Sequence, residues 1–197
     1  MVYCPALVRI GRVLDGGKWV CNPFRIPDKS VVFSLGLHNE ISFEKELQRI
    51  TNNCCYIYGY DYFRQKDKTI RELTEVRAVT IAPRTNEKKD EYTIEYLMKL
   101  ENVTSIEILK MDIELAEHGV LPPFLDKQRP AQVMVEIHTY PSELVVMAKL
   151  VHEIAKRGYS MLSYEINGAH HDCSEFSFIH ESAFERYGAI PMTRFLD

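Results

Sequence analysis

The 197-residue sequence has no surplus of basic charge: 24 Lys and Arg stand against 28 Asp and Glu, a net of −4. Proteins that neutralise phosphate backbones need such a surplus, so nucleic acid is not an expected partner. Long apolar runs are missing as well. Val31–Leu37 and Leu144–Val151 are among the longest, far below the roughly 18–20 residues that cross a bilayer. Met1–Arg9 has no basic leader before an apolar run. The default expectation is a soluble, cytoplasmic protein, with the secretory lumen as the alternative if this chain is a shortened form. Cysteine is scarce and odd in number, five, with no Cys-x-x-Cys pair, which excludes a disulfide-built scaffold and a standard zinc site. All five read first as structural thiols. Cys4 and Cys21, which bracket the turn Asp15–Lys18, are the exception and would close a short loop in an oxidising compartment. The Gly-x-Gly-x-x-Gly fingerprint is also absent, which argues against a nicotinamide oxidoreductase.

What remains is globular composition, 46% apolar and 26% charged, in the length of one domain. Val31–Leu37 (VVFSLGL) is a continuous apolar run, as in a strand buried on both faces, and Ser42–Ile50 follows with helical spacing. Further strands are expected at Cys55–Tyr60, Val76–Ala82, Ile106–Ile113 and Ala131–His138, with helices across Thr93–Leu100, Glu114–Leu125 and Ser142–Arg157. Pro122 and Pro123 are expected to halt the second of these helices, Ser142 to cap the third and Gly158 to end it. Between Asp61 and the third strand there is room for one or two helical turns. Ser160–Ile166 and Glu175–His180 follow each other without a helix and should pair antiparallel. The result is an α/β doubly wound domain with a seven-stranded, mostly parallel sheet and a C-terminal antiparallel hairpin, spanning 31–197 behind an N-terminal cap segment at 1–30.

In such sheets ligands bind at the carboxyl ends of the strands, beside the point where strand order reverses. Gly36 at the end of the first strand and Asp61 at the end of the second suggest a nucleoside ligand, the acid accepting ribose hydroxyls. Period-two alternation puts Lys110, Asp112 and Glu114 on one face of the fourth strand, and Glu136 and His138 on one face of the fifth. These side chains suit proton transfer to a bound hydroxyl, or a divalent cation on Asp112, Glu114, Glu136 and His138. A salt-bridged rim neutralised by Lys110 is preferred to the cation. His170, His171 and Asp172, with Cys173 and His180 nearby, match no standard zinc spacing and read as a solvated loop. Trp19, Lys18 and Phe24 read as packing at the sheet edge rather than as a cover over a ligand ring.

Taken in order, Val8–Cys21 (VRIGRVLDGGKWVC), Val32–Phe43 (VFSLGLHNEISF), Tyr58–Asp61 (YGYD), Ile108–Glu117 (ILKMDIELAE), Val135–His138 (VEIH) and Glu175–His180 (EFSFIH) resemble FkbM-type methyltransferases, and in particular their animal methyltransferase-like branch. The resemblance spans nearly the whole chain. It implies a class I Rossmann-like fold, S-adenosylmethionine as cofactor, and methyl transfer, often to the oxygen of a small molecule or glycan. It places Ser34, Gly36 and His38 near the methionine part of the cofactor and Asp61 on the ribose. Asp112, Glu114, Glu136 and His138 would face the acceptor, with His138 the first choice of general base and Asp112 its rival. Three departures stand out: a single Gly in the cofactor loop, Leu115 where the family has Gly, and a short segment after Asp61. They favour the alternative of a catalytically inactive paralogue acting as a binding or interaction domain.

Overall fold

The computed structural model describes residues 1–13, 15–139, 144–168 and 173–192. Seven strands form one sheet: β1 (Val31–Leu35), β2 (Tyr56–Asp61), β3 (Glu75–Ala78), β4 (Ile108–Met111), β5 (Gln132–His138), β6 (Tyr159–Ile166) and β7 (Cys173–His180). Their order across the sheet is β3-β2-β1-β4-β5-β7-β6. The pairs β3/β2, β2/β1, β1/β4 and β4/β5 are parallel. β7 runs antiparallel to both β5 and β6. Strand order therefore reverses between β1 and β4, and the terminal hairpin lies where the sequence pattern puts it.

Four helices cover the sheet with shorter pieces: α1 (Ser42–Ile50), α2 (Ile94–Leu100), α3 (Glu117–Leu125) and α4 (Leu144–Ala155). Val32, Phe33, Ser34 and Leu35 of β1 are all fully buried, because both sheet faces are packed. On one face Phe33, Leu97, Phe124, Leu150 and Phe176 share a core that gathers α2, α3 and α4. On the other, Val32, Phe43, Leu47 and Met134 pack with Ile10 and Val20 of an N-terminal two-stranded ribbon, and with Tyr187. That ribbon, Leu7–Ile10 paired with Lys18–Cys21, takes the area a further helix would cover. Gln132 of β5 fastens it: its side-chain amide donates to the Cys21 carbonyl at 2.9 Å, and its oxygen accepts from the Cys21 N–H at 2.8 Å. In α1, Phe43 and Leu47 are four residues apart and face the sheet, while Glu40 caps the helix by accepting from the Ser42 N–H at 2.9 Å.

Three expectations change. The strand at Val76–Ala82 is two pieces, because after Ala78 the Val79 N–H turns to the Asp61 carbonyl at 2.6 Å, and Thr80–Ile81 pairs with Glu91–Tyr92 instead. Pro122 and Pro123 do not halt α3 but lie inside it. Burial of Val120, Leu121, Phe124 and Leu125 against the sheet outweighs the two lost helical hydrogen bonds. Cys4 and Cys21 are not thiols: they form a disulfide. Gly158 adopts φ +84° beyond α4, as a helix-ending residue should. The segment after Asp61 contributes a single turn, Asp67–Ile70. Ser142 and the His170–Asp172 cluster lie outside the described residues. No helix among the described residues is long and apolar enough to cross a membrane.

The disulfide links residues 17 apart and ties the first residues to the ribbon. Replacing both cysteines by serine should lower the unfolding free energy by about 3 kcal/mol, the loop-closure value for this span. Denaturant unfolding with and without a reductant checks it: the reductant should weaken the parent chain and leave the double variant unchanged.

Candidate functional site

A cleft of about 910 Å³ opens at the carboxyl ends of β1, β2, β4 and β5, beside the reversal of strand order. That is the size of a small-molecule site and the place where doubly wound sheets bind ligands. Of the eight side chains singled out from sequence, Gly36, His38, Asp61, Asp112, Glu114, Glu136 and His138 line it. Ser34 does not. It is fully buried, and its hydroxyl donates to the Glu44 carboxylate.

The loop from β1 to α1 forms one wall. Gly36 sits at φ +80°, and a Cβ there would stand 1.7 Å from the Asp112 carbonyl oxygen. Only glycine fits where the ends of β1 and β4 meet. The glycine thus serves a contact between two backbones while also lining the cleft. His38 and Asn39 follow at φ +46° and +58°, and Asp61 fixes this unusual path. Its Oδ2 accepts from the Leu37 N–H at 2.8 Å and the His38 N–H at 2.7 Å, while Oδ1 accepts from the Phe63 N–H at 3.2 Å. Gln65 adds a clasp, its Oε1 accepting from the Asn39 N–H at 2.6 Å. Beneath the loop Lys110 donates to the Gly36 carbonyl at 3.1 Å and lies 3.5 Å from Glu44. Burial pulls the Lys110 pKa down, but the charges of Glu44, Asp112, Glu175 and Glu40 together outweigh it and hold the ammonium above its ordinary value. Lys110 therefore neutralises Glu44 first, ahead of the acids of the rim.

The opposite wall is the exit of β4 and β5. His138 Nδ1 lies 3.0 Å from Glu117 Oε1, and that same oxygen accepts from the Ile113 N–H at 3.1 Å. The other ring nitrogen, Nε2, faces three carboxylates: Glu114 at 3.5 Å, Asp112 at 3.8 Å and Glu136 at 3.9 Å. Burial alone would lower the His138 pKa, yet the Glu117 hydrogen bond and the surrounding acids raise it to about 9. At neutral pH the ring carries a proton and is not a free general base, which corrects the role first assigned to it. Asp112 moves up to about 6, because burial and Glu136 oppose its ionisation more than Lys110, Lys18 and His138 favour it.

Behind this wall lies a buried pair network. Lys18, expected at the sheet edge, is buried; it pairs with Glu175 and lies 3.6 Å from Glu136 Oε2. Burial raises Glu136, but Lys18 and hydrogen bonds from Glu175 and Cys173 bring it to about 2. Glu175 goes the other way, to about 8, through burial and the Glu136 charge against Lys18. Trp19 donates to Glu165 at 2.8 Å and Phe24 is exposed, so neither covers the cleft. His180 is buried away from it, with its Nδ1 2.8 Å from the Ser182 hydroxyl.

Glu117, Glu44, Glu175 and Gln65 went unread from sequence. Only Glu117 left a signal, an acid at the first helical position after a strand exit. Leu115, the position where the resemblance implies Gly, stands at φ +74° beside Glu114 at +52°. It takes the backbone of a glycine, with its side chain half exposed.

A family model described as a methyltransferase domain matches residues 2–180. No curated protein matches the chain. Among solved structures it is similar to the fibrillarin pre-rRNA processing protein of Methanococcus jannaschii, at 14% identity, with 89% of this chain and 82% of that one covered and a TM-score of 0.51. It is also similar to the methyltransferase FkbM of Methylobacillus flagellatus, at 13% identity and a TM-score of 0.50, over 76% of this chain and 44% of that one. At these identities the likeness is one of fold.

Two outcomes are expected at this site. In protein freed of metal ions, the His138 ring should titrate near pH 9 by NMR, and Glu117→Gln should move the midpoint down. The stability this imidazolium confers is complete below the unfolded value of about 6.5 and is lost as pH rises through about 9. A midpoint at or below 6.5 would sink the assignment. At Leu115, the Gly variant should be more stable than the Ala variant by about 0.5–1 kcal/mol, since both remove the side chain but only Gly relieves the left-handed backbone. Thermal unfolding of the two would show the reverse order if no strain resides there.

Proposed function

The chain belongs to this methyltransferase-domain family, and from that premise we propose that it binds S-adenosylmethionine in the cleft and methylates an oxygen of a small molecule or glycan. The Asp61 loop carries the reading. An acid at the end of β2, next to a glycine-led loop at the reversal of strand order, is the arrangement by which such sheets hold a ribose. Asp61 Oδ1 has one loop donor and keeps acceptor capacity for a ribose hydroxyl. Gly36 and His38 line the stretch from there toward Asp112, where the methionine part would lie.

The acceptor would face Asp112, Glu114 and His138. Its oxygen attacks the methyl carbon in line with the carbon–sulfur bond; the carbon–oxygen bond forms, sulfur keeps the electron pair as a neutral thioether, and the hydroxyl proton leaves. We assign that proton to the Asp112 carboxylate, because His138 already holds one. Within the family, the segments around Gly36, Asp61, Asp112 and His138 support placement beside the FkbM-type enzymes and their animal branch. A net charge of −4 and the carboxylates of the acceptor wall disfavour a nucleic-acid acceptor.

A second reading, a non-catalytic binding domain, has its own observation: Asp61 Oδ2 is already occupied by two loop N–H groups. Calorimetric titration with S-adenosylmethionine and S-adenosylhomocysteine separates the two. The methyltransferase reading expects saturable binding, weakened about ten- to a hundredfold by Asp61→Asn, which keeps an acceptor for the loop while discarding the charge-assisted bond to the ribose. No heat from either ligand, with a cooperatively folded chain, would transfer the assignment to the interaction domain.

A further inference from the structure

We propose that the wall between β4 and β5 is a divalent-cation site, with His138 Nε2 and carboxylate oxygens of Asp112, Glu114 and Glu136 as ligands. The geometry comes first. Nε2 stands 3.5 Å from Glu114 Oε2, 3.8 Å from Asp112 Oδ1 and 3.9 Å from Glu136 Oε1. These separations are too long for hydrogen bonds. Those of Glu114 and Asp112 match donors that share one ion, since two atoms each about 2.1–2.3 Å from a cation lie about 3.2–3.8 Å apart at ordinary coordination angles, and Glu136 stands just beyond that range.

The second observation is Glu117. It is fully buried, its Oε1 holds His138 Nδ1 at 3.0 Å, and its Oε2 has no hydrogen-bond partner. A carboxylate on one ring nitrogen that aims the other at a cation is the usual outer support of a histidine ligand. One donor atom each of Asp112, Glu117 and His138 lies within 4.8 Å of the others, and the same holds for Glu136, His138 and Cys173. A buried carboxylate oxygen without a donor is costly unless a positive charge faces it. The nearby lysines are committed elsewhere: Lys18 to Glu175 and Glu136, Lys110 to Glu44 and the Gly36 carbonyl. Negative charge exceeds positive at this wall even with the His138 ring protonated, and a divalent cation that displaces the Nε2 proton puts two positive charges where the ring held one.

One imidazole among several carboxylates favours a cation of the manganese or magnesium kind over a thiolate-held structural zinc. Its place in the reaction rests on the methyl-transfer reading: next to the acceptor, it would bind the hydroxyl oxygen and ease loss of the proton. The binding itself does not depend on that reading.

The test uses the whole chain, stripped with a chelator and titrated with Mn²⁺ without any S-adenosyl ligand, by calorimetry and by the loss of the free-ion electron paramagnetic resonance signal. One saturable site is expected, with Mg²⁺ competing. Asp112→Asn should weaken it at least tenfold, and Glu117→Gln about ten- to a hundredfold through the histidine it orients. Asp67→Asn, an exposed acid outside the cluster, should change nothing. Circular dichroism checks folding; if the Glu117 variant unfolds, Asp112→Asn, on a partly exposed side chain, decides alone. A folded parent chain with no saturable Mn²⁺ or Mg²⁺ binding, or binding that Asp112→Asn leaves intact, overturns the site. Either result leaves S-adenosylmethionine binding to be judged separately.

Discussion

Where β1 ends, Gly36 lies so close to the Asp112 carbonyl that a single added carbon would collide with it. This contact joins the exits of two neighbouring parallel strands, at the place where the order of the parallel strands reverses. Because the exits touch, the loop that leaves β1 and the acids that leave β4 share one cleft. Every other feature of the site builds on that contact. Asp61 reaches across from β2 to hold the loop N–H groups, and Lys110 reaches up from β4 to the Gly36 carbonyl. A larger residue at 36 would part the strands and separate the two walls.

The charges beneath the cleft fall into separate groups. Glu44 belongs with Ser34 and Lys110; Glu175 and one edge of Glu136 belong with Lys18. Removing one member of such a buried pair costs about 3–5 kcal/mol, because the other is left charged in an apolar setting. These lysines are consequently not free to move toward the rim. The carboxylates around His138 Nε2 must find their positive charge in the ring itself or in something bound. Lys110 stands closest to Glu44 and shares its charge with Asp112, so the rim acids depend on the His138 ring for the rest of their neutralisation.

Much of the frame was legible because its signals are local. Continuous apolar runs marked β1 and β5, and the spacing of Phe43 and Leu47 marked α1 with the bounds observed. A missing helix between the last two strands marked the antiparallel hairpin. What escaped depends on contacts between distant residues. The prolines of α3 follow a packing demand from the sheet, the strand after β2 breaks where Asp61 captures an N–H, and Lys18 is drawn inward by Glu175, 157 residues away. Seven of eight candidate side chains reached the cleft because strand alternation and the strand-end rule need only local register. Ser34 missed it because it lies before the strand exit, fully buried, with its hydroxyl on Glu44.

The strain in the β4 exit lies beside the part of the site that the sequence concealed. Glu114 and Leu115 both hold left-handed backbone, at about 1–2 kcal/mol for each residue that is not glycine. Their turn brings the chain back within four residues, so that Glu117 opens α3 with its carboxylate on the Ile113 N–H and on His138. A relaxed, extended exit would carry Glu117 away from the β5 end, and His138 would lose the group that fixes which nitrogen faces the cleft. Strain of this kind persists only where surrounding contacts over-determine it. Here those contacts are the buried face of α3 and the shared Glu117 oxygen, and their effect is to set a charged imidazole among three carboxylates at the mouth of a ligand-sized cleft.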